Sequence, residues 1–304
     1  MSRSRGFTLA ELTVALAIIG LLLAGAMIPL TAQIDVRNVA DTRRTIESIR
    51  DAIIGFSQAN GRLPCPADGS IPAGAANAGT EQYGSNSCTN VGGAFGVVPW
   101  VTLGVQETDA WGRRFSYRVA PAFADKVSLT TWNTRLNAYT PPAGNLAQTV
   151  SSPTSPANQT PACDLTVAPT LSSFALCSLG DIAIFTRGGS TTTAVPLGTA
   201  LPAVIISHGK NGSGAWQSNG TRLTPIPSGN DEAANVNGNT QLTPTGGYLS
   251  WVFYSRPPTP AASGCVDPTP PATSSAPLCE FDDIVVVISS STLIARMVAA
   301  GRLP

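Results

Sequence analysis

The chain has 304 residues, 18 of them basic and 18 acidic, so its formal net charge is zero and only 12% of its residues carry charge. That balance leaves no electrostatic footprint for nucleic acid or for an anionic surface, so no nucleic-acid partner is expected. The length can bury a sizeable core, and 29 glycines with 25 prolines describe a loop-rich body in which helix is confined to few places.

Met1 to Gly6 reads MSRSRG, two arginines and no acid, and is followed by an almost wholly apolar run from Phe7 to Leu30. As a helix these roughly 24 residues would span about 36 Å, enough to cross a bilayer. The leading arginines, and the lack of a second such run, place the short N-terminus in the cytoplasm and the bulk of the chain across the membrane. Glu11 stands inside the apolar run. A carboxylate in hydrocarbon costs about 2–3 kcal/mol near mid-helix and less toward the interface, so it calls for a partner.

The helical pattern continues beyond the run. Val36, Val39, Ile46, Ile49, Ile53 and Phe56 recur at helical spacing, with Arg43 and Glu47 placed to pair four residues apart. Asn60-Gly61 and Pro64 supply a stop. The spacing predicts one helix over 7–60, with a membrane half of about 7–30 and an amphipathic half, followed by a globular region over 61–304.

Candidate strands are Phe115 to Ala120, Asp181 to Thr186, Ala203 to Ser207, Tyr248 to Ser255 and Ile284 to Ser289, each bounded by Gly, Pro or Ser. The fold class expected is α+β: a long N-terminal helix packed on an antiparallel sheet with disulfide-closed loop insertions. Thr140 to Pro161 and Pro257 to Pro277 are too polar for core and read as surface elaborations. At the C-terminus, Ser290 or Ser291 caps a short helix with Leu293, Ile294, Met297 and Val298 on one apolar face.

Six cysteines, Cys65, Cys88, Cys163, Cys177, Cys265 and Cys279, have no CxxC spacing, which favours disulfides in an oxidising space over zinc. Six allow fifteen pairings. Neighbour pairing is the expectation, because Cys163 to Cys177 and Cys265 to Cys279 are equally spaced and each second cysteine precedes a strand. No residue takes a catalytic role: His208 is the single histidine, and it lies in a Ser-His-Gly turn without a nucleophile elbow.

Gly6-Phe7-Thr8-Leu9-Ala10-Glu11, ahead of an apolar helix, resembles the leader of type IV prepilins and type II secretion pseudopilins. The resemblance implies that residues 1–6 are a leader cut between Gly6 and Phe7 by a prepilin peptidase, which then methylates the amino group of Phe7. It implies that Glu11 pairs with the N-terminal ammonium of a neighbouring subunit during assembly. The partners implied are other pilin or pseudopilin subunits, the peptidase, an inner-membrane assembly platform and the lipid bilayer. The location implied is the bacterial inner membrane, with the body in the periplasm.

Two shorter segments are similar to major pseudopilins: Asp109 to Tyr117, and Ile206 to Gly212, the latter like the turn that precedes their calcium loop. Asn211, with Asp231, Glu232 and Asn235 downstream, supplies the oxygen donors calcium prefers. The chain is expected to be a minor pilin or pseudopilin. A non-polymerising anchored adhesin or binding protein, and an exported protein cleaved near Ala24-Gly25-Ala26, remain open alternatives.

Overall fold

A computed structural model describes residues 8–84, 87–89, 95–125, 171–176, 178, 180–187, 194–225, 229–237, 241–242, 250–267 and 276–303, with the backbone alone for 22–32, 237, 241, 242 and 250. Two compact units divide between Asp41 and Thr42. Helix α1, Leu9–Asn60, contributes to both.

Over Leu9–Leu21 α1 carries apolar side chains on every side. Leu9, Leu12, Val14, Leu16, Ile18, Ile19 and Leu21 are all more than half exposed. Among the described residues no helix is long and apolar enough to cross a membrane. The side chains described in the apolar run end at Leu21, and the span expected over 7–30 extends past them.

In the second unit α1 buries Thr42, Ile46, Ile49, Ile53 and Ser57, a stripe at spacings of three and four. Val36, expected on this stripe, is instead exposed. Glu47 pairs with Arg50 at 2.6 Å rather than with Arg43. The helix ends at Gly61, whose φ of 71° suits a left-handed C-terminal cap. A Cβ at Gly61 would lie 2.2 Å from the carbonyl oxygen of Leu171.

The body is built on two sheets. Strands β1 (Tyr83–Gly84) and β2 (Ser87–Cys88) form a small hairpin. The main sheet uses β3 (Phe95–Val97), β4 (Ser116–Val119), β7 (Ala203–Ser207) and β10 (Ile284–Ile288) in the order β10-β7-β4-β3, antiparallel throughout. The second sheet orders β6 (Val195–Leu201), β5 (Ile182–Thr186), β9 (Ser250–Tyr254) and β8 (Gln241–Leu242). Here the all-antiparallel expectation is corrected: β5 and β9 are parallel. The intervening β6, β7 and α4 (Asn230–Asn237) provide the long crossover that a parallel pair requires.

Alternation along the main sheet separates the two cores. Tyr117, Val119, Ile205 and Ile288 face Ile46, Ile49 and Ile53 together with Leu293 and Met297. Val204 and Ile206 face Ile182, Ile184 and Phe253 of the second sheet. Leu293 and Met297 come from the C-terminal helix α5, Ser290–Ala299, whose cap is Ser289, one residue before the expected position. Short helices α2 (Trp100–Leu103) and α3 (Pro121–Ala124) complete the described elements.

Cys65 is bonded to Cys88, and Cys265 to Cys279; Cys163 and Cys177 lie outside the described residues. Beside the first bridge, Arg62 grips Glu81 through both Nη atoms at 2.7 and 2.8 Å, and its guanidinium stacks 3.7 Å from the Tyr83 ring. Closing the loop between cysteines 23 residues apart stabilises the fold by about 3 kcal/mol through the reduced entropy of the unfolded chain. The double variant Cys65→Ser/Cys88→Ser is expected to lose about that much in denaturant unfolding. A midpoint equal to the parent's would show that the bridge contributes nothing.

Candidate functional site

At the N-terminus, Thr8 caps α1. Its hydroxyl accepts the Glu11 N–H at 3.3 Å, while its own N–H and hydroxyl donate to Glu11 Oε2 at 2.9 and 2.8 Å. This reciprocal capping box satisfies donors that the first turn leaves without helical partners. Glu11 therefore has an intrachain partner as well as the intersubunit one implied by resemblance. Gly6 and Phe7 lie outside the described residues.

The two segments similar to pseudopilins meet in the body. Asp109 Oδ1 accepts the N–H groups of Trp111 and Arg113 at 2.9 and 3.0 Å, and Gly112 takes the positive φ that closes this turn. The Ser207 hydroxyl donates to Asp109 Oδ2 at 2.7 Å, and Arg113 Nη1 donates to the Gly209 carbonyl at 2.7 Å. A tight turn is thus clamped to the end of β7 and to the loop that carries His208 and Asn211.

Helix α4 distributes its acids between two settings. Asp231 accepts Arg187 Nε at 3.1 and 2.9 Å and lies 3.0 Å from Arg256 Nε. Arg256 also reaches Asp267 Oδ1 and the Cys279 carbonyl. Asp231 is thereby committed to a buried ionic network rather than to the oxygen-donor set expected for calcium.

Glu232 and Asn235, three apart, face the entry of β10 instead. Carboxylate oxygens of Glu232, Asp282 and Asp283 all lie within 4.8 Å of one another. Asn211 Nδ2 donates to Glu232 at 3.2 and 3.3 Å, and the Asn211 N–H to Asp282 Oδ2 at 2.7 Å. Asn235 Nδ2 donates to Asp283 Oδ2 at 2.8 Å, and its Oδ1 accepts the Tyr254 N–H. The two asparagines thus hold the carboxylates in place. Burial, then the neighbouring charge of Asp283, pushes the Glu232 carboxyl up to about 8. Burial, opposed in part by the Asn211 N–H and reinforced by Asp283 and Glu280, raises Asp282 as well.

His208 closes this cluster from the main sheet. It is 1% exposed; Nε2 is 2.8 Å from Ser116 Oγ, and Nδ1 is 3.6 Å from Asp283 Oδ1. The order acid, imidazole, hydroxyl is that of a hydrolytic triad, yet Ser116 is 4% exposed on an internal strand, closed to an incoming substrate. Asp282, Asp283 and Ser116 were absent from the sequence-based candidates. The available signal was the acidic doublet placed directly before the apolar run Ile284–Ile288.

Residues 1–27 match the family described as the prokaryotic N-terminal methylation motif. That motif is the hallmark of the type IV pilin and pseudopilin family. The match covers the first 27 of 304 residues, the short basic leader and most of the apolar run. No curated protein and no solved structure matches the chain.

Removing Asp231 would leave two buried arginines short of their shared counter-charge, at a cost of about 3–5 kcal/mol. Asp231→Asn should therefore lower Tm by roughly 10 °C in a body of this size. A change within about 2 °C would show that the network is energetically neutral.

Proposed function

We propose that the protein is a minor pilin or pseudopilin: a structural subunit held in the bacterial inner membrane by the first half of α1, then built into a type IV pilus or a type II secretion pseudopilus through that helix. One observation carries this reading. The N-terminal part of α1 presents apolar side chains on all sides and leaves them exposed in the single chain, an arrangement stable only within lipid or among neighbouring helices. In this reading the body has a structural role, and its single imidazole, His208, is 1% exposed.

Processing supplies the first test. Co-expression with a prepilin peptidase is expected to yield a mature chain beginning at N-methylated Phe7 by mass spectrometry, with Gly6→Asp as the blocked control. An N-terminus near Met27, or an unprocessed chain, would sink the proposal. A chain that is processed normally yet absent from sheared filaments would support the non-polymerising adhesin instead.

The capping box makes the Glu11 test sharper, because cap and charge can be separated. Glu11→Gln keeps an acceptor for the Thr8 N–H and removes the charge, whereas Thr8→Ala removes the cap hydroxyl, worth about 1 kcal/mol, and keeps the charge. Incorporation into filaments is expected to fall at least tenfold in Glu11→Gln and in Glu11→Val and to stay near normal in Thr8→Ala. The reverse ranking would assign Glu11 to helix capping alone.

A further inference from the structure

Of the four outer edges of the two large sheets, three carry a feature that stops a further strand from adding. At β3 both backbone groups of Val97 are taken by Ala67, at 2.8 and 3.0 Å. Edge strand β6 contains Pro196 and pairs with β5 in a broken register, and β8 is two residues long. Proline, irregular pairing and short length are usual protections of an exposed edge. The edge of β10 has none of them. Ile284–Ile288 is an uninterrupted run of β-branched residues in unbroken register with β7. Among the described residues no strand and no backbone group bonds to its outward-facing N–H and C=O groups.

We infer that β10 is a strand-addition site: an extended segment of a different polypeptide pairs antiparallel with it, bearing an apolar run with an acidic residue before it and a basic residue after it.

The backbone defines the occupant as an extended peptide. Alternate residues of an edge strand direct their donors and acceptors away from the sheet, and only another strand can pair with that row in sequence-independent fashion. The first four residues of β10 are half-buried. Ile284 and Val286 lean on the helical core, and Val285 and Val287 on the core of the second sheet. A strand added outside them would cover both sets, so its own residues are apolar on both faces.

Charge sets its direction. Glu280 and Asp282 stand just before β10 and are partly exposed, while Asp282 and Asp283 accept from the neutral amides of Asn211 and Asn235. The entry of β10 is therefore acidic. Its exit is uncharged and runs directly into the N-terminus of α5 at Ser290, an end that favours an anion. An antiparallel strand, the pairing used throughout this sheet, thus meets the acids with its C-terminal end and α5 with its N-terminal end.

A second copy of the chain does not fit this edge. Two β10 edges pair antiparallel about a two-fold axis normal to the sheet, which reverses one body relative to the other together with the Thr42–Asn60 part of α1 packed on that sheet. Chains held side by side in one membrane, the reading proposed above on which this inference rests, share a common direction. Continuation of the sheet between bodies of like direction would use the outer edge of β3, which Ala67 closes.

The test uses the full chain in detergent micelles and three acetylated, amidated peptides: EVTVIVTVK, its reversal KVTVIVTVE, and the first peptide with alternate backbone nitrogens methylated. Binding is read by fluorescence anisotropy and located by amide hydrogen exchange. The first peptide is expected to bind one per chain and to slow exchange within Ile284–Ile288. The reversed peptide should bind at least tenfold more weakly, and the methylated one not at all. Glu280→Gln combined with Asp282→Asn should erase the difference between the first two peptides. No binding at millimolar concentration, equal binding of the methylated peptide, or protection at another element would each overturn the proposal. So would a dimer of the chain that the peptide dissociates, since that result assigns the edge to a second copy. Neither peptidase nor filaments enter these measurements, so their failure leaves the subunit reading standing.

Discussion

Strand β7 is buried on both faces over its whole length, and most of the body is arranged to satisfy that one constraint. A five-residue strand of Ala, Val, Ile, Ile and Ser cannot meet water on either side without losing the burial that stabilises it. Ile205 needs the helical layer of α1 and α5, and Val204 and Ile206 need the second sheet. Its backbone is paired with β4 on one edge and β10 on the other. The chain leaving β7 enters the loop of His208 and Asn211, and the chain arriving at β10 carries Asp282 and Asp283. The acidic cluster is therefore positioned by a strand buried along its whole length.

Such a body manages its few charges in two different ways. Arg118 with Asp181, and Arg187 and Arg256 with Asp231 and Asp267, are opposite charges taken out of water together. Ion pairs of this kind add little net stability, but they penalise any arrangement that separates the partners. Arg118 stacks over Trp251 and binds Asp181, and so ties β4 of the first sheet to the second sheet. The Glu232, Asp282 and Asp283 group differs, since its carboxylate oxygens lie within 4.8 Å of one another and accept from the amides of Asn211, Asn235 and Asp282.

The N-terminal unit follows another logic. Over Leu9–Leu21 its exposed surface is largely apolar around the whole of α1. The acid within its apolar run, Glu11, is already hydrogen bonded by Thr8. Within the single chain Glu11 is a helix-capping residue, its Oε2 accepting from both the Thr8 N–H and the Thr8 hydroxyl.

Much of this was legible in the residues. Five strands lie within a residue or two of their expected bounds because each is a compact apolar run between turn formers, and α1 and α5 follow from periodicity and stop signals. The strand β6 escaped notice: Pro196, Gly198 and exposed Val195 and Leu197 give it no alternation, and only pairing with β5 makes it a strand. Helix α4 carries no clear helical signal, because Asn and Asp favour turns unless neighbours hold them in a helix. The methylation motif and helix α1 are local features, so sequence by itself determined both. The parallel pair, the choice of Asp231 for arginines and the meeting of Glu232 with Asp282 and Asp283 were decided only by tertiary structure. They join residues from 44 positions apart, Arg187 and Asp231, upward, and such a separation is closed by packing of the sheets, not by any pattern along the chain.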